Sequence, residues 1–260
     1  ATTSHPTATF DSSNNKVVIS YADAGNSSYG TAIVGTVSST SISFGSPTVF
    51  ESAGTTFLSS TFDTTNNKVV IAYGDQGNSN IGTAVVGTVS STSISFGTAA
   101  AFSGSEQGYY SNAAFNPDTG TVGVAYQGAA DVQKFAEGTV SGTGISFGSA
   151  TTINSSGPYI DLDYDTSADV FVFHFRDSGN SSRPTVAALD LGTALTSENF
   201  LGFAEEDVTA NGLATIQLGG SVNDKQTSLT AGQTYFVQTD GTIGTTAASP
   251  SVTAGTAVSA

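Results

Sequence analysis

Cysteine, methionine and tryptophan are absent from this 260-residue chain, and only 6 lysines and arginines stand against 21 aspartates and glutamates. Without cysteine there is no disulfide framework, no thiol nucleophile and no cysteine-based metal site, so stability has to come from packed sheets. A net charge of −15 repels nucleic acid and anionic lipid surfaces, and neither is expected as a partner. No apolar run approaches the length of a membrane span and no signal-like segment opens the chain, so membrane insertion is not expected. No convincing helical pattern occurs either, which removes any phosphate-cradling loop leading into a helix. Because the chain opens on Ala1 rather than Met, it reads as processed or as part of a longer one.

What is present is a copied segment. FDSSNNKVVISYADAGNSSYGTAIVGTVSSTSISFG (10–45) recurs 52 residues later as FDTTNNKVVIAYGDQGNSNIGTAVVGTVSSTSISFG (62–97), with 28 of 36 positions identical. A repeat of this period built from short strands marks propeller blades or a stacked β array, because one unit cannot bury its apolar faces alone. In the second copy, alternation and turn residues predict strands near 56–62, 68–73, 82–89 and 93–96. The turn Asp63-Thr64-Thr65-Asn66-Asn67 carries side chains that bond their own backbone and tolerate left-handed geometry. A third copy runs through AFNPDTGTVGVAYQ (114–127) and GTVSGTGISFG (138–148), and a fourth through DYDTSADVFVFHFRDSGNSS (163–182). Phe62, Phe115 and Tyr164 occupy one repeat position and Tyr73, Tyr126 and Phe175 another. Aromatics fixed in this way read as packing between blades.

From Leu195 the pattern changes to a small β module with short strands near 214–218 and 234–238 and a hairpin turn at Thr239-Asp240-Gly241. The expected fold is therefore all-β: four propeller-like blades of about 50 residues, each a four-stranded antiparallel unit, then a small β-barrel or sandwich module. The repeat domain is placed at 1–194, with repeats near 3–54, 55–107, 108–157 and 158–200, and the module at 195–260.

The strings LTSENFLGFAEEDV, GLATIQLGG, SLTAGQTYFVQTDGTIGTT and SPSVTAGTAVSA resemble a C-terminal module of virion structural proteins in tailed bacteriophages, especially marine phages related to cyanophages. In that group the module follows repeats of the YxDxGNS…GTAIVGTVSSTSISFG kind, so the resemblance covers most of the chain. It implies a particle component, a tail fibre or a capsid appendage or decoration, with other virion proteins as partners, and it supplies no catalytic residues. A second resemblance lies in the turns Asp23-Ala24-Gly25-Asn26-Ser27, Asp75-Gln76-Gly77-Asn78-Ser79 and Asp177-Ser178-Gly179-Asn180-Ser181. They are similar to the Asp-box turn of sialidase-type propellers at the Asp, Gly and hydroxyl positions alone, and there the box is a structural hairpin.

A sialidase clamps a carboxylate with several arginines from different blades, whereas Arg176 and Arg183 share one turn region. Glycoside hydrolysis needs two opposed carboxylates. Asp161, Asp163 and Asp165 alternate onto one strand face, which fits a solvated acidic edge, a calcium site through oxygen ligands, or a catalytic pair. Glu205, Glu206 and Asp207 read as a solvated linker, and His5 and His174 have no nucleophile or metal partner at a recognisable spacing. Tyr29, Tyr109 and Tyr110 are aromatics in polar loops, residues that either stack on sugar rings or pack between blades.

The sequence thus leads to a non-enzymatic virion structural protein, extracellular on the particle. It would be homo-oligomeric, contact a host-surface glycan or receptor, and need no cofactor unless calcium. The alternative is a secreted glycan-binding β-propeller lectin or adhesin.

Overall fold

The computed structural model describes residues 2–189, 202–204, 216–218, 228–237, 243–247 and 252–258. The chain divides into two compact units, Ala1–Leu191 and Gly192–Ala260. Among the described residues every regular element is a β-strand or a one-turn 3-10 helix.

The first unit is a series of antiparallel meanders, one per repeat. Repeat 1 runs β1 (Thr3–Asp11), β2 (Lys16–Asp23), β3 (Tyr29–Ser38) and β4 (Ser41–Phe44), followed by β5 (Thr48–Asp63). The second repeat begins half-way along β5 and continues through β6 (Lys68–Asp75), β7 (Ile81–Ser90), β8 (Ser93–Phe96) and β9 (Ala100–Ala101). Repeat 3 is β10 (Tyr109–Asn116), β11 (Thr121–Gln127), β12 (Gln133–Ser141), β13 (Gly144–Phe147) and β14 (Thr151–Asn154). The fourth is β15 (Ile160–Asp165), β16 (Val170–Asp177) and β17 (Arg183–Leu189).

The expected four-stranded unit is present with one modification: its outer strand is broken in two. Residues 41–44 pair with one end of β3 and residues 48–54 with the other. The same split recurs where β8 and β9 both pair β7, and where β13 and β14 both pair β12.

The hairpin between the first two strands is set by one Asx side chain per repeat, buried in repeats 1, 2 and 3 and exposed in repeat 4. Asp63 Oδ1 accepts N–H bonds of 2.9 Å from Thr65 and Asn66, and Asp11, Asn116 and Asp165 do the same in their repeats. Residues four further on, Asn15, Asn67, Gly120 and Asp169, close the turn with positive φ, which Asx and Gly tolerate best.

Strand alternation gives each sheet two apolar faces, and consecutive repeats bury them against each other. Val18, Ala32 and Val34 of repeat 1 pack on Phe62, Val69, Ile71, Tyr73, Val85 and Ile94 of repeat 2. In turn Val70, Ala72, Ala84 and Val86 pack on Val122, Val124, Tyr126 and Ile145 of repeat 3. Ala125 and Phe135 then pack on Phe171, Phe173 and Phe175 of repeat 4. Each repeat therefore has a leading face, which receives the repeat before it, and a trailing face, which receives the repeat after it. Phe50 of repeat 1 wedges into the first junction, its ring 5.3 Å from that of Tyr73 and 5.5 Å from that of Phe96. Phe102 does likewise at the second, 5.1 Å from Tyr126 and 5.9 Å from Phe147. Aromatics at fixed repeat positions are thus inter-blade packing.

At the outer rim the junctions depend on glycine. A Cβ on Gly45 would lie 1.8 Å from the carbonyl oxygen of Thr92 in the next repeat, and one on Gly97 would lie 1.8 Å from that of Thr143.

In the second unit, β18 (Gly202–Ala204) pairs β19 (Ile216–Leu218), and β20 (Thr234–Val237) lies between β21 (Ile243–Gly244) and β22 (Val252–Thr256). Strands flank the expected hairpin at Thr239–Gly241 and pair antiparallel, although the turn lies outside the described residues, as do Glu205, Glu206 and Asp207. The described strands form two small sheets and no closed barrel.

Candidate functional site

The first strands of repeats 1, 2 and 3 carry a β-bulge at the same place. Register slips between Ser4 and Thr7, between Thr56 and Ser59, and between Tyr109 and Asn112. In each bulge one residue takes left-handed geometry: His5 (φ 50), Phe57 (φ 50) and Tyr110 (φ 49), with Tyr159 (φ 61) at the matching point of repeat 4. None is glycine, and the left-handed region costs an L-residue on the order of 1–2 kcal/mol. All four bear rings.

The bulges aim those rings at one another. Centroids are 5.3 Å apart for His5 and Phe57, 4.5 Å for Phe57 and Tyr110, and 4.8 Å for Tyr110 and Tyr159. Tyr109 meets the edge of Phe57 at 5.4 Å. These separations suit tilted and edge-to-face contacts, each contributing about 0.5–1.5 kcal/mol beyond area burial. The inner strands are also tied by polar bonds: Ser111 Oγ donates to the Phe57 carbonyl, Ala113 N to Ser59 Oγ (3.0 Å), and Asn112 Nδ2 to the Ile160 carbonyl (2.9 Å). The result is a column of four rings crossing all four repeats.

The column ends in a cleft. Tyr159, 55% exposed, forms one wall of a recess of about 560 Å³ shared with Asn112, Asp161, His174, Arg176 and Pro184. His174 and Arg176 are exposed on alternate positions of β16, on the face opposite buried Phe173 and Phe175. Asp161 sits on β15, its Oδ1 accepting from Leu162 N at 2.9 Å. An aromatic wall, a cation, a carboxylate and an amide converge there. Burial, and after it the neighbouring Tyr159, pushes the Tyr110 hydroxyl above its ordinary pKa, so this phenol stays a protonated donor at neutral pH.

The residues singled out from sequence fall into separate places. Tyr109 and Tyr110 belong to the column, packed between repeats and half-buried, while Tyr29 starts β3 and pairs with Asp23 and Gly54 away from it. Asp23, Asp75 and Asp177 cap one-turn 3-10 helices by accepting from Gly25, Gly77 and Gly179 N at 2.9, 2.9 and 2.8 Å. These are structural turns of the Asx kind. Repeat 3 lacks the Asp, and Gly128 makes no such cap.

Asp161, Asp163 and Asp165 do share the exposed face of β15, but their carboxylates accept from Leu162 N, Tyr164 N, and Ser167 and Ala168 N. Among the described residues no group of three or more His, Asp or Glu side chains is placed to hold a metal ion. The calcium reading therefore has no assembled site. Phe57 and Tyr159 are not among the residues marked by sequence, and His5 is marked there only for lacking a nucleophile or metal partner. Their signal was present, since each ring sits five residues before the repeat aromatic at Phe10, Phe62, Phe115 or Tyr164.

No family model and no curated protein matches the chain. Among solved structures it is similar to a Hadza microbial sialidase, at TM-score 0.47 and 10% identity over 73% of this chain and 45% of that one. Two structures of an Aleuria aurantia lectin mutant are similar at 16% identity over 68% of this chain. The complex with Fucalpha1-6GlcNAc gives TM-score 0.40 over 58% of the lectin, and the complex with alpha-methyl-L-fucoside gives 0.39 over 57%. The chain spans about half the length of these structures. Likeness at this level transfers no ligand or activity to it.

Proposed function

We propose that this chain is a non-enzymatic carbohydrate-binding protein, a lectin or adhesin built on a propeller-like β scaffold. The observation that carries this reading is the exposed Tyr159 ring, held in left-handed geometry at the end of the aromatic column and forming a wall of a cleft that also holds Asn112, Asp161, His174 and Arg176. A sugar presents an apolar C–H face and a rim of hydroxyls. A rigid ring takes the first, and Asn112, Asp161, His174 and Arg176 take the second by hydrogen bonds. The cleft is open and lined by both apolar and polar groups, unlike the enclosed apolar pockets that take drug-like ligands.

Stacking fixes the column's rings, so little conformational entropy is lost on binding, which favours the weak individual contacts of glycan recognition. Display on a repeat scaffold adds avidity wherever several copies face one surface.

Binding of the intact chain to a glycan array, lost in Tyr159→Ala and weakened in Arg176→Ala with unchanged thermal stability, supports the reading. Silence of the wild-type chain across neutral, acidic and fucosylated glycans overturns it. A second reading, a structural component of a phage particle, follows from the sequence resemblance and is favoured by the uncovered sheet face of repeat 1.

A further inference from the structure

The leading faces of repeats 1 and 2 carry nearly the same side chains in opposite environments. In repeat 2 they are covered by repeat 1, leaving Phe62 8%, Val89 8% and Ile94 4% exposed. Their counterparts Phe10, Val37 and Ile42 are 54%, 53% and 41% exposed, and Phe44 is 49% exposed. Between them Val17, Ile19 and Tyr21 are half-buried, where Val69, Ile71 and Tyr73 are sealed at 0%. A contiguous apolar sheet face of this kind is uncommon on an isolated soluble surface.

The chain itself shows what covers such a face. At both inner junctions with this residue set, the occupant is the trailing face of another repeat, with small or branched residues on its second and third strands: Val18, Ala32 and Val34, then Val70, Ala84 and Val86. One trailing face among the described repeats is free, that of repeat 4. By ladder register its Val172, His174, Val186 and Ala188 stand where Val70, Ala72, Ala84 and Val86 stand in repeat 2, so three of the four positions are apolar and a histidine takes the place of Ala72. Val172 is half-buried, Ala188 exposed and Val186 67% exposed. The aromatic column likewise ends on exposed rings at both extremes, His5 in repeat 1 and Tyr159 in repeat 4.

We infer that the leading face of repeat 1 is an assembly surface whose occupant is the trailing face of repeat 4 in a second copy of this chain. The contact is head to tail, so copies add until a ring closes or a filament grows. It continues the inter-repeat packing across the subunit boundary and brings His5 of one copy to Tyr159 of the next, in the relation Phe57 has to Tyr110. His174 belongs both to this trailing face and to the sugar cleft, and Tyr159 both to the column and to the cleft wall, so a docked copy and a glycan compete for this end of repeat 4. This assembly goes beyond the carbohydrate reading, and either can fail without the other.

The test is sedimentation velocity of the full chain over a wide concentration range, with Phe44→Asp on the leading face and Val186→Asp on the trailing face. Both positions are exposed, so each variant should keep its fold. The wild type is expected to associate with rising concentration, and more strongly in added salt, which screens the repulsion between acidic copies. Each variant alone should be monomeric. An equimolar mixture should give a discrete pair and stop there, because one intact leading face and one intact trailing face remain. A wild type that stays monomeric throughout overturns the inference. So does a Val186→Asp chain that associates as the wild type does, since the apolar face would then pair with something other than repeat 4. Glycan binding read on the same samples separates a failed assembly from a failed lectin.

Discussion

Repeats 1 and 2 share 28 of 36 residues over the copied segment yet differ in which of those residues are core. Ile71 is 0% exposed and Ile94 4%, whereas Ile19 is half-buried and Ile42 41% exposed. Local sequence determines the strands, the Asx turns and the bulge in both. Burial is decided by the neighbour, which repeat 2 has and repeat 1 lacks among the described residues. In a repeat array stability is a sum of intrinsic and interface terms, and this pair holds the first nearly constant while varying the second.

The sharpest way to break that comparison is to make one deletion twice. Ile71→Ala removes a sealed side chain and is expected to cost about 2–5 kcal/mol in denaturant unfolding of dilute protein. Ile19→Ala should cost well under half of that. Equal losses would mean that repeat 1 is packed as tightly as repeat 2.

The rim glycines sharpen the comparison next. Gly97→Ala drives a methyl into the Thr143 carbonyl and is expected to destabilise by about 1–3 kcal/mol. In contrast Gly148→Ala, whose Cβ would meet nothing nearer than 3.9 Å, should leave the melting temperature nearly unchanged. A matched loss in both would show that the cost is conformational and not a junction clash.

Asp75→Ala and Asp23→Ala are the control. Each removes one cap bond of 2.9 Å to an exposed turn and should cost about 1 kcal/mol, the same in both repeats. A larger loss at Asp75 would imply that the turns take part in the junction.

The smallest effect is confined to alkaline solution. Burial and then Glu106 raise the Tyr126 hydroxyl to about 12, and burial with Glu51 raises Tyr73 further. A raised folded pKa gives stability that is whole below the unfolded value of about 10 and is lost as pH climbs toward the folded one. Stability should therefore begin to fall above pH 10, and Tyr126→Phe should flatten the part of that slope ending near pH 12. An unchanged slope would mean that Tyr126 ionises as freely as in the unfolded chain.

Most of the fold was legible because it is written in local code repeated several times. The strands expected at 68–73 and 93–96 appear at Lys68–Asp75 and Ser93–Phe96, since alternation and Asx turns act within a hairpin. The broken outer strand was not legible: residues 48–54 close one sheet while residues 55–63 open the next, and no local signal divides them. The aromatic column was hidden for a related reason. Tyr110 reads as a loop aromatic until the bulges place it between Phe57 and Tyr159, residues about 50 positions away on either side. Asp161, Asp163 and Asp165 share a face as alternation requires, but alternation says nothing of the main-chain donors that occupy their carboxylates.

Hydroxyl-radical footprinting of Phe10 against Phe62, which lie in distinguishable peptides, tests the central claim most directly. In dilute protein the account predicts rapid oxidation of Phe10 (54% exposed) and protection of Phe62 (8% exposed). As the concentration rises Phe10 should become protected while Phe62 does not change. Equal protection of the two rings in dilute protein would contradict it, because the leading face of repeat 1 would then already be covered within a single chain.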